Sequence, residues 1–239
     1  MRTVVVIPAR YGSRRLPGKP IIPLKGKPLV QYVYENALGS MAQEVLVATD
    51  DERIRQVVEG FGGKAVMTSP DHPSGTDRVA EVVKDLDAEV VVNLQCDEPL
   101  LEARYIDLLI TAFERPEVEM ATLVAPLDPD GWQDPATVKV VRDLKGFALY
   151  FSRASIPFPR DGSPLKEGVY WRHVGVYAYR KTFLLTLASL PPTPLEEEEK
   201  LEQLRALEHG FSIYTIVCDY SAPGVDTEED LRRVLSLLP

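Results

Sequence analysis

The 239-residue sequence predicts a doubly wound α/β fold on a mostly parallel sheet. Three observations carry that reading. Short β-branched runs alternate with helical patterns through the first half of the chain, as successive βαβ units require. The run Glu89–Leu94, centred on Val90, Val91 and Val92, has the apolar character of a strand buried on both faces. The first strand feeds a loop rich in glycine and basic residues, at the sheet edge where open α/β folds bind ligands.

In order, Thr3–Ile7 reads as a strand, Pro28–Leu38 as a helix, Val45–Ala48 as a strand and Glu52–Gly60 as a helix. Lys64–Met67 is a short strand, and Asp77–Leu86 a helix with Thr76 as its expected N-cap. The apolar strand Glu89–Leu94 follows, then a helix over Ala103–Phe113 and a strand over Met120–Val124. Val138–Arg142 and Phe147–Phe151 flank Asp143-Leu144-Lys145-Gly146, which reads as a hairpin. A Pro-rich stretch from Ile156 to Pro164 precedes a strand over Tyr170–Tyr179. Leu195–His209 reads as one helix, its acidic start suiting the positive end of the helix dipole. Phe211–Val217 is a last strand and Glu228–Leu238 a last helix. The whole, 1–239, reads as a single domain with an inserted hairpin lobe at about 130–190 that contributes its own chemistry.

Composition is that of an ordinary soluble globular protein, 45% hydrophobic and 26% charged. Cys96 and Cys218 are too few for a disulfide framework and point to a reducing compartment. The apolar run Val4–Ile7 is too short for a signal-peptide core and ends at Pro8. No stretch approaches the roughly 20 apolar residues of a membrane span. A cytoplasmic protein with no membrane partner is expected. The net charge of −9 argues against nucleic acid as a partner. Residues 1–34 nevertheless carry Arg2, Arg10, Arg14, Arg15, Lys19, Lys25 and Lys27 and no acid, so that segment is +7 and the remainder −16. A compact anion bound there explains the asymmetry; the plainer alternative is a solvated basic loop.

After the first strand the chain reads PARYGSRRLPGKP. Gly12 and Gly18 allow sharp turns and close backbone approach, so N–H groups and basic side chains can surround a triphosphate. The GxxxxGK[ST] pattern of the P-loop is absent. The run resembles the N-terminal signature of the sugar-acid cytidylyltransferases. That resemblance implies a nucleotide-diphospho-sugar transferase-like fold, CTP as substrate, and Arg10, Arg15 and Lys19 on its phosphates, with Pro8 and Ala9 beside the nucleotide.

Two further segments match the same family. Gln95-Cys96-Asp97-Glu98-Pro99 resembles Gln-Gly-Asp-Glu-Pro, which puts Asp97 on Mg²⁺ and Gln95 beside the nucleotide. Cys96 stands where the family has glycine, a substitution that restricts φ. Gly224-Val225-Asp226-Thr227-Glu228-Glu229-Asp230-Leu231 resembles Gly-Val-Asp-Thr-x-Glu-Asp-Leu, which makes Asp226 the second metal carboxylate. Without the resemblance, Thr227 with Asp230 is simply a capping box, and both readings can hold together. Two carboxylates beside an anion loop suit Mg²⁺, which takes one or two carboxylates plus phosphate oxygens and water.

Asp71-His72-Pro73-Ser74-Gly75-Thr76-Asp77-Arg78 resembles the family segment by the cytosine and ribose, which makes Ser74, Gly75 and Thr76 base contacts. On composition alone it is a capped helix start. Phe151–Pro157 with Pro159-Arg160-Asp161, Arg172–Arg180, and Pro194–Glu196 with Leu201–Arg205 resemble the branch that activates 3-deoxy-manno-octulosonate (Kdo). The resemblance places Arg160, His173, Tyr177, Glu202 and Gln203 around the sugar. Taken singly, His173 could be a satisfied strand histidine, Tyr177 core, and Glu202 a solvated helix residue.

The implied reaction is attack of the anomeric hydroxyl on the α-phosphorus of CTP with loss of pyrophosphate. Lys19, Arg10, Asp97 and Asp226 would carry the catalysis by positioning and charge stabilisation. The family also implies a homodimer. Competing readings are activation of a sialic acid or 8-amino Kdo, a nucleotide-binding regulator without turnover, and a metal-dependent glycosyltransferase.

Overall fold

The computed structural model describes residues 1–12, 16–162 and 166–238. The chain runs β1 (Thr3–Pro8), β2 (Pro23–Leu24), β3 (Lys27–Pro28), α1 (Leu29–Leu38), β4 (Glu44–Thr49), α2 (Glu52–Gly60), β5 (Ala65–Met67), α3 (Gly75–Val83), β6 (Val90–Asn93), α4 (Ala103–Thr111) and β7 (Met120–Pro126). It continues through α5 (Pro129–Gln133), β8 (Lys139–Arg142), β9 (Ala148–Ser152), β10 (Trp171–Arg180), α6 (Lys181–Ser189), α7 (Pro194–Glu199), α8 (Gln203–Glu208), β11 (Tyr214–Val217) and α9 (Glu228–Leu237). Among the described residues no helix is long and apolar enough to cross a membrane.

Strand periodicity divides the core in two. Successive side chains of a strand point to opposite faces. Val5 and Ile7 of β1, with Val90 and Val92 of β6, therefore join one apolar cluster, against Leu29, Val33, Ile54 and Ile106 of α1, α2 and α4. Val4, Val6 and Val91 face the other, against Val79 and Val83 of α3, Phe183 and Leu187 of α6, and Leu204 of α8. Helices thus cover both faces, as a doubly wound sheet requires.

The strand order is β11-β7-β10-β6-β1-β4-β5, with β8 joined to β10 and β9 to β8. β1 pairs in parallel with β4 and β6, β4 with β5, and β7 with β11. The one reversed strand on that path is β10, antiparallel to both β6 and β7. It changes neighbours along its length. Trp171 and Arg172 pair with β8, whereas Tyr177 to Arg180 pair with β6. Its register against β7 shifts between Val174 and Tyr177. The sheet therefore forks at Gly175, beyond the carboxyl end of β6. Because β10 lies inside the sheet, residues 171–180 of the expected inserted lobe belong to the central sheet, and the β8–β9 hairpin hangs from it.

Several local expectations change. The N-cap of α3 is Ser74, not Thr76: the Ser74 hydroxyl oxygen accepts the Asp77 N–H at 3.2 Å, and the helix begins at Gly75. The helix expected over Leu195–His209 is two, broken at Lys200, which sits in the left-handed region at φ 53. The reversal lets Arg205 of α8 fork onto Glu196 of α7, at 2.8 and 2.6 Å. Helices α5 and α6 were not expected. Cys96 takes an ordinary backbone conformation, since the described non-glycine residues with positive φ are Lys25 and Lys200. The glycine-to-cysteine change therefore carries no left-handed strain.

Candidate active site

Connected cavities open along the carboxyl ends of β1 and β6. A cavity of about 530 Å³ is lined by Pro8, Ala9, Arg10, Lys19, Asp97 and Asp226, among others. One of about 200 Å³ lies under the fork in the sheet, against Thr76, Asn93, Tyr177, Tyr179, Glu202 and Gln203. A third, about 490 Å³, is bounded by Asp97, Glu98, Arg172, His173, Tyr220 and Asp226. A small fourth, about 90 Å³, is bordered by Arg10, Ser74, Gly75 and Arg78. Gln95 borders all four. Its side-chain amide is oriented by donating from Nε2 to Asn93 Oδ1 at 2.9 Å.

The first cavity is built on the turn that follows β1. Gly18 takes φ 68, and a Cβ there would meet the Tyr11 ring at 3.1 Å, so both conformation and space call for glycine. Its N–H donates to Tyr11 O at 2.9 Å, closing the loop, and Lys19 opens a short 3₁₀ turn. Lys19 Nζ donates to Asp97 Oδ2 at 3.0 Å, Asp226 Oδ1 at 3.2 Å and Val225 O at 2.8 Å. Burial by itself lowers the Lys19 pKa, but the two carboxylates outweigh it and hold the ammonium above the ordinary lysine value. Arg10 is exposed on the cavity rim. Arg15 lies outside the described residues.

Asp97 and Asp226, 129 positions apart, thus face one point at which a cation already sits. Two hard oxygen donors in a polar cavity match what Mg²⁺ accepts from protein, its shell being completed by phosphate and water. No group of three or more His, Cys, Asp or Glu converges as a ligand cage among the described residues. The donor set fits Mg²⁺ held jointly with a nucleotide.

On the base side, Ser74, Gly75 and Thr76 all line cavities. The Ser74 hydroxyl is nevertheless engaged in capping, donating to Asp77 Oδ2 at 2.6 Å. Arg78, quoted in the motif but assigned no role, is 3% exposed; it donates to Asp50 Oδ2 at 2.9 Å and to Thr68 Oγ1.

At the fork, four of the five expected sugar residues come together. Tyr177, Glu202 and Gln203 line the 200 Å³ cavity, and His173 the adjoining one. Gln203 is 6% exposed, and its Nε2 finds no hydrogen-bond partner among the described residues. Burial raises the Glu202 carboxyl. The His173 ring lies between Phe151 and Tyr177, at centroid distances of 5.2 and 5.3 Å. Burial first, then Arg172, lowers it to about 3, so it is neutral. The Thr122 hydroxyl spends its one proton on the Val176 carbonyl at 2.8 Å, so His173 Nε2, 3.0 Å away, donates to that oxygen. The structure does not bring Arg160 here. It is exposed in a turn closed by the Gly162 N–H on Pro159 O, 3.0 Å, and lines none of these cavities.

Three neighbours escaped the sequence reading. Tyr220, 4% exposed, donates to Glu98 Oε2 at 2.6 Å, and Arg172 donates to the Tyr220 carbonyl. Burial, with the Asp97 charge beside it, pushes the Glu98 carboxyl up to about 8. Glu98 and Arg172 each stand inside a matching motif without an assigned role, and nothing in the sequence ties Tyr220 to either.

Comparison with known proteins agrees with this geometry. A model of the cytidylyltransferase family matches residues 4–213. A 3-deoxy-manno-octulosonate cytidylyltransferase of Syntrophotalea carbinolica is 50% identical over 244 residues, covering 98% of this chain and 97% of the relative. An 8-amino-3,8-dideoxy-manno-octulosonate cytidylyltransferase of Shewanella sp. (strain ANA-3) is also 50% identical, over 245 residues and 98% and 97% of the two chains. The solved structure of a CMP:2-keto-3-deoxy-manno-octonic acid synthetase complexed with CTP superposes with a TM-score of 0.94 at 45% identity, covering 99% and 98% of the chains. With this fold, these carboxylates and similarity along its whole length, the chain belongs to the cytidylyltransferase family.

Proposed function

We propose that this chain transfers CMP from CTP to the anomeric hydroxyl of 3-deoxy-D-manno-octulosonate, giving CMP-Kdo and pyrophosphate for lipopolysaccharide synthesis. The observation that carries the reading is the meeting of Lys19, Asp97 and Asp226 in the nucleotide-sized cavity, which shares Gln95 with the fork cavity. The relatives named above support the choice of acceptor.

The triphosphate lies in the first cavity, with Pro8 and Ala9 at its backbone wall, Arg10 on the leaving pyrophosphate, and Ser74, Gly75 and Thr76 towards the base; the resemblance assigns Arg15, outside the described residues, to the same phosphates. Lys19 holds positive charge where negative charge grows on the α-phosphate, and its part-exposed ion pairs keep that charge on at neutral pH. Mg²⁺ on Asp97 and Asp226, when bound, supplies Lewis-acid polarisation of the phosphoryl group and acidifies the attacking hydroxyl. Tyr177, Glu202 and Gln203 orient the sugar from the second cavity. A buried amide donor left unpaired costs about 1–3 kcal/mol, so the free Gln203 Nε2 favours a ligand oxygen opposite it. His173, neutral with Nε2 committed, contributes a hydrogen bond and no charge. Gln95, shared by all the cavities, spans nucleotide and acceptor.

A second reading is that the acceptor is the 8-amino analogue. Glu202 places an acid in the fork cavity, and no lysine or arginine lines it among the described residues, which suits an ammonium group. A homodimer is supported by exposed Leu144, Leu149 and Phe158 on the hairpin and the loop after it. A cytoplasmic site of action is supported by the two free cysteines.

Pyrophosphate release by purified protein with Mg²⁺ and CTP tests the proposal, with Kdo, 8-amino Kdo, a sialic acid or no acceptor added. Release with Kdo is expected. Release with the amino sugar alone transfers the assignment to the second reading, and CTP binding without release for any acceptor overturns both.

A further inference from the structure

The Asp226 loop is held against Asp97 by groups that no role above uses. Glu98 accepts the Tyr220 hydroxyl at 2.6 Å, across 122 positions of sequence. The Tyr220 ring is buried edge-on against Tyr105, centroids 5.2 Å apart, and its carbonyl takes the Arg172 guanidinium. Four residues further on, Gly224 passes so close to Glu98 that a Cβ would lie 3.2 Å from Oε1 and 3.5 Å from the Asp97 carbonyl. The next N–H, of Val225, donates to that Asp97 carbonyl at 2.8 Å, and the Val225 carbonyl accepts Lys19. Asp226 follows at once. Its carboxylate is therefore placed by a clasp anchored on Glu98.

We propose that the Glu98–Tyr220 hydrogen bond, with the close passage of Gly224, is a positioning device that fixes the separation of the two metal carboxylates. The carboxylates lie on independent segments, one following β6 and the other preceding α9. A cation that takes only two protein ligands is sensitive to their spacing, because Mg²⁺ demands near-ideal octahedral geometry. Supporting hydrogen bonds outside the ligand set typically change metal affinity 10- to 100-fold. Glu98 and Tyr220 are assigned a role through Asp226, as positioning residues and not as ligands. The inference rests on the proposed role of Asp97 and Asp226.

The test is direct Mn²⁺ binding, followed by the loss of free Mn²⁺ signal in electron paramagnetic resonance with CTP present, alongside the melting temperature. Four variants separate the outcomes. Tyr220→Phe removes the hydroxyl and keeps the ring; affinity about tenfold weaker is expected. Glu98→Gln keeps an acceptor for Tyr220 and should restore affinity to within about twofold of the parent, which a role as ligand or base would not allow. Gly224→Ala, whose Cβ would lie 3.2 Å from Glu98 Oε1 and push it by a few tenths of an ångström, should also weaken binding. Asp97→Ala should abolish binding. Unchanged Mn²⁺ affinity in Tyr220→Phe, or loss in Glu98→Gln, overturns the clasp. Unchanged affinity in Asp97→Ala overturns the metal assignment beneath it. A fall in melting temperature with metal affinity unchanged reduces the contact to ordinary packing and likewise overturns the proposal.

Discussion

Asp97 and Lys19 show what single residues do here. A lysine between two carboxylates offsets one of their two negative charges, so the pair of acids stays attractive to a further cation. Removing one acid should therefore damage chemistry more than fold. Asp97→Ala is expected to lower kcat/KM by about 10²–10³, the scale of losing a group that stabilises transition-state charge. The circular dichroism spectrum should be unchanged, and near-parent turnover would refute the metal role. Most of these residues were legible because they stand in contiguous motifs. Glu98 and Tyr220 were not, because their bond joins segments 122 positions apart and neither residue type is diagnostic alone. Arg160 stands in a matching motif, but the turn from Pro159 to Gly162 leaves it exposed and outside the lining of the four cavities.

Elements with explicit local chemistry follow the sequence closely. Helix α2 spans Glu52–Gly60 as expected, capped by Asp51 on the Arg53 N–H. Helix α9 starts on the Thr227–Asp230 capping box read from the motif, and Asp226 stands just before it, so the cap is compatible with the metal role proposed for Asp226. Helix α6 was overlooked because its N-cap is Arg180, which makes no side-chain cap bond, so the usual start signal is missing. The break at Lys200 had no glycine or proline to announce it. It is stabilised from outside the segment by the Arg205–Glu196 fork, and it brings Glu202 and Gln203 to the cavity. The triphosphate loop offers the sharpest test at this scale. Gly18→Ala forces a left-handed alanine against the Tyr11 ring, a strain of about 1–2 kcal/mol. A lower melting temperature and a raised KM for CTP are expected; an unchanged KM would show that the turn does not shape the nucleotide site.

For the molecule as a whole, His173 links the acceptor site to global stability. Its folded pKa of about 3 lies below the ordinary 6.5, so the unfolded chain binds a proton that the native state refuses. Stability is then intact above about pH 6.5 and falls as the pH drops towards 3. A fully enclosed ring would cost about 1.4 kcal/mol per pH unit across that window. Because the ring is partly open to its cavity, a loss of about 1 kcal/mol between about pH 7 and pH 5 is expected. Urea unfolding of the parent and of His173→Gln at both pH values measures it. Equal pH dependence in the two proteins would remove His173 from the account.

Alternating apolar periods and contiguous motifs were enough to determine a doubly wound sheet, a basic loop with glycines after β1 and two acidic segments. Each of those signals is written within a few neighbouring residues, where side-chain period and backbone chemistry act. The tertiary structure alone decided that β10 runs backwards through the middle of the sheet and forks it. It also decided that α7 and α8 turn back on themselves to line the fork, and that Tyr220 near the C-terminus bonds to Glu98 beside Asp97. Those features depend on which distant surfaces meet, and packing settles that only when the chain has closed.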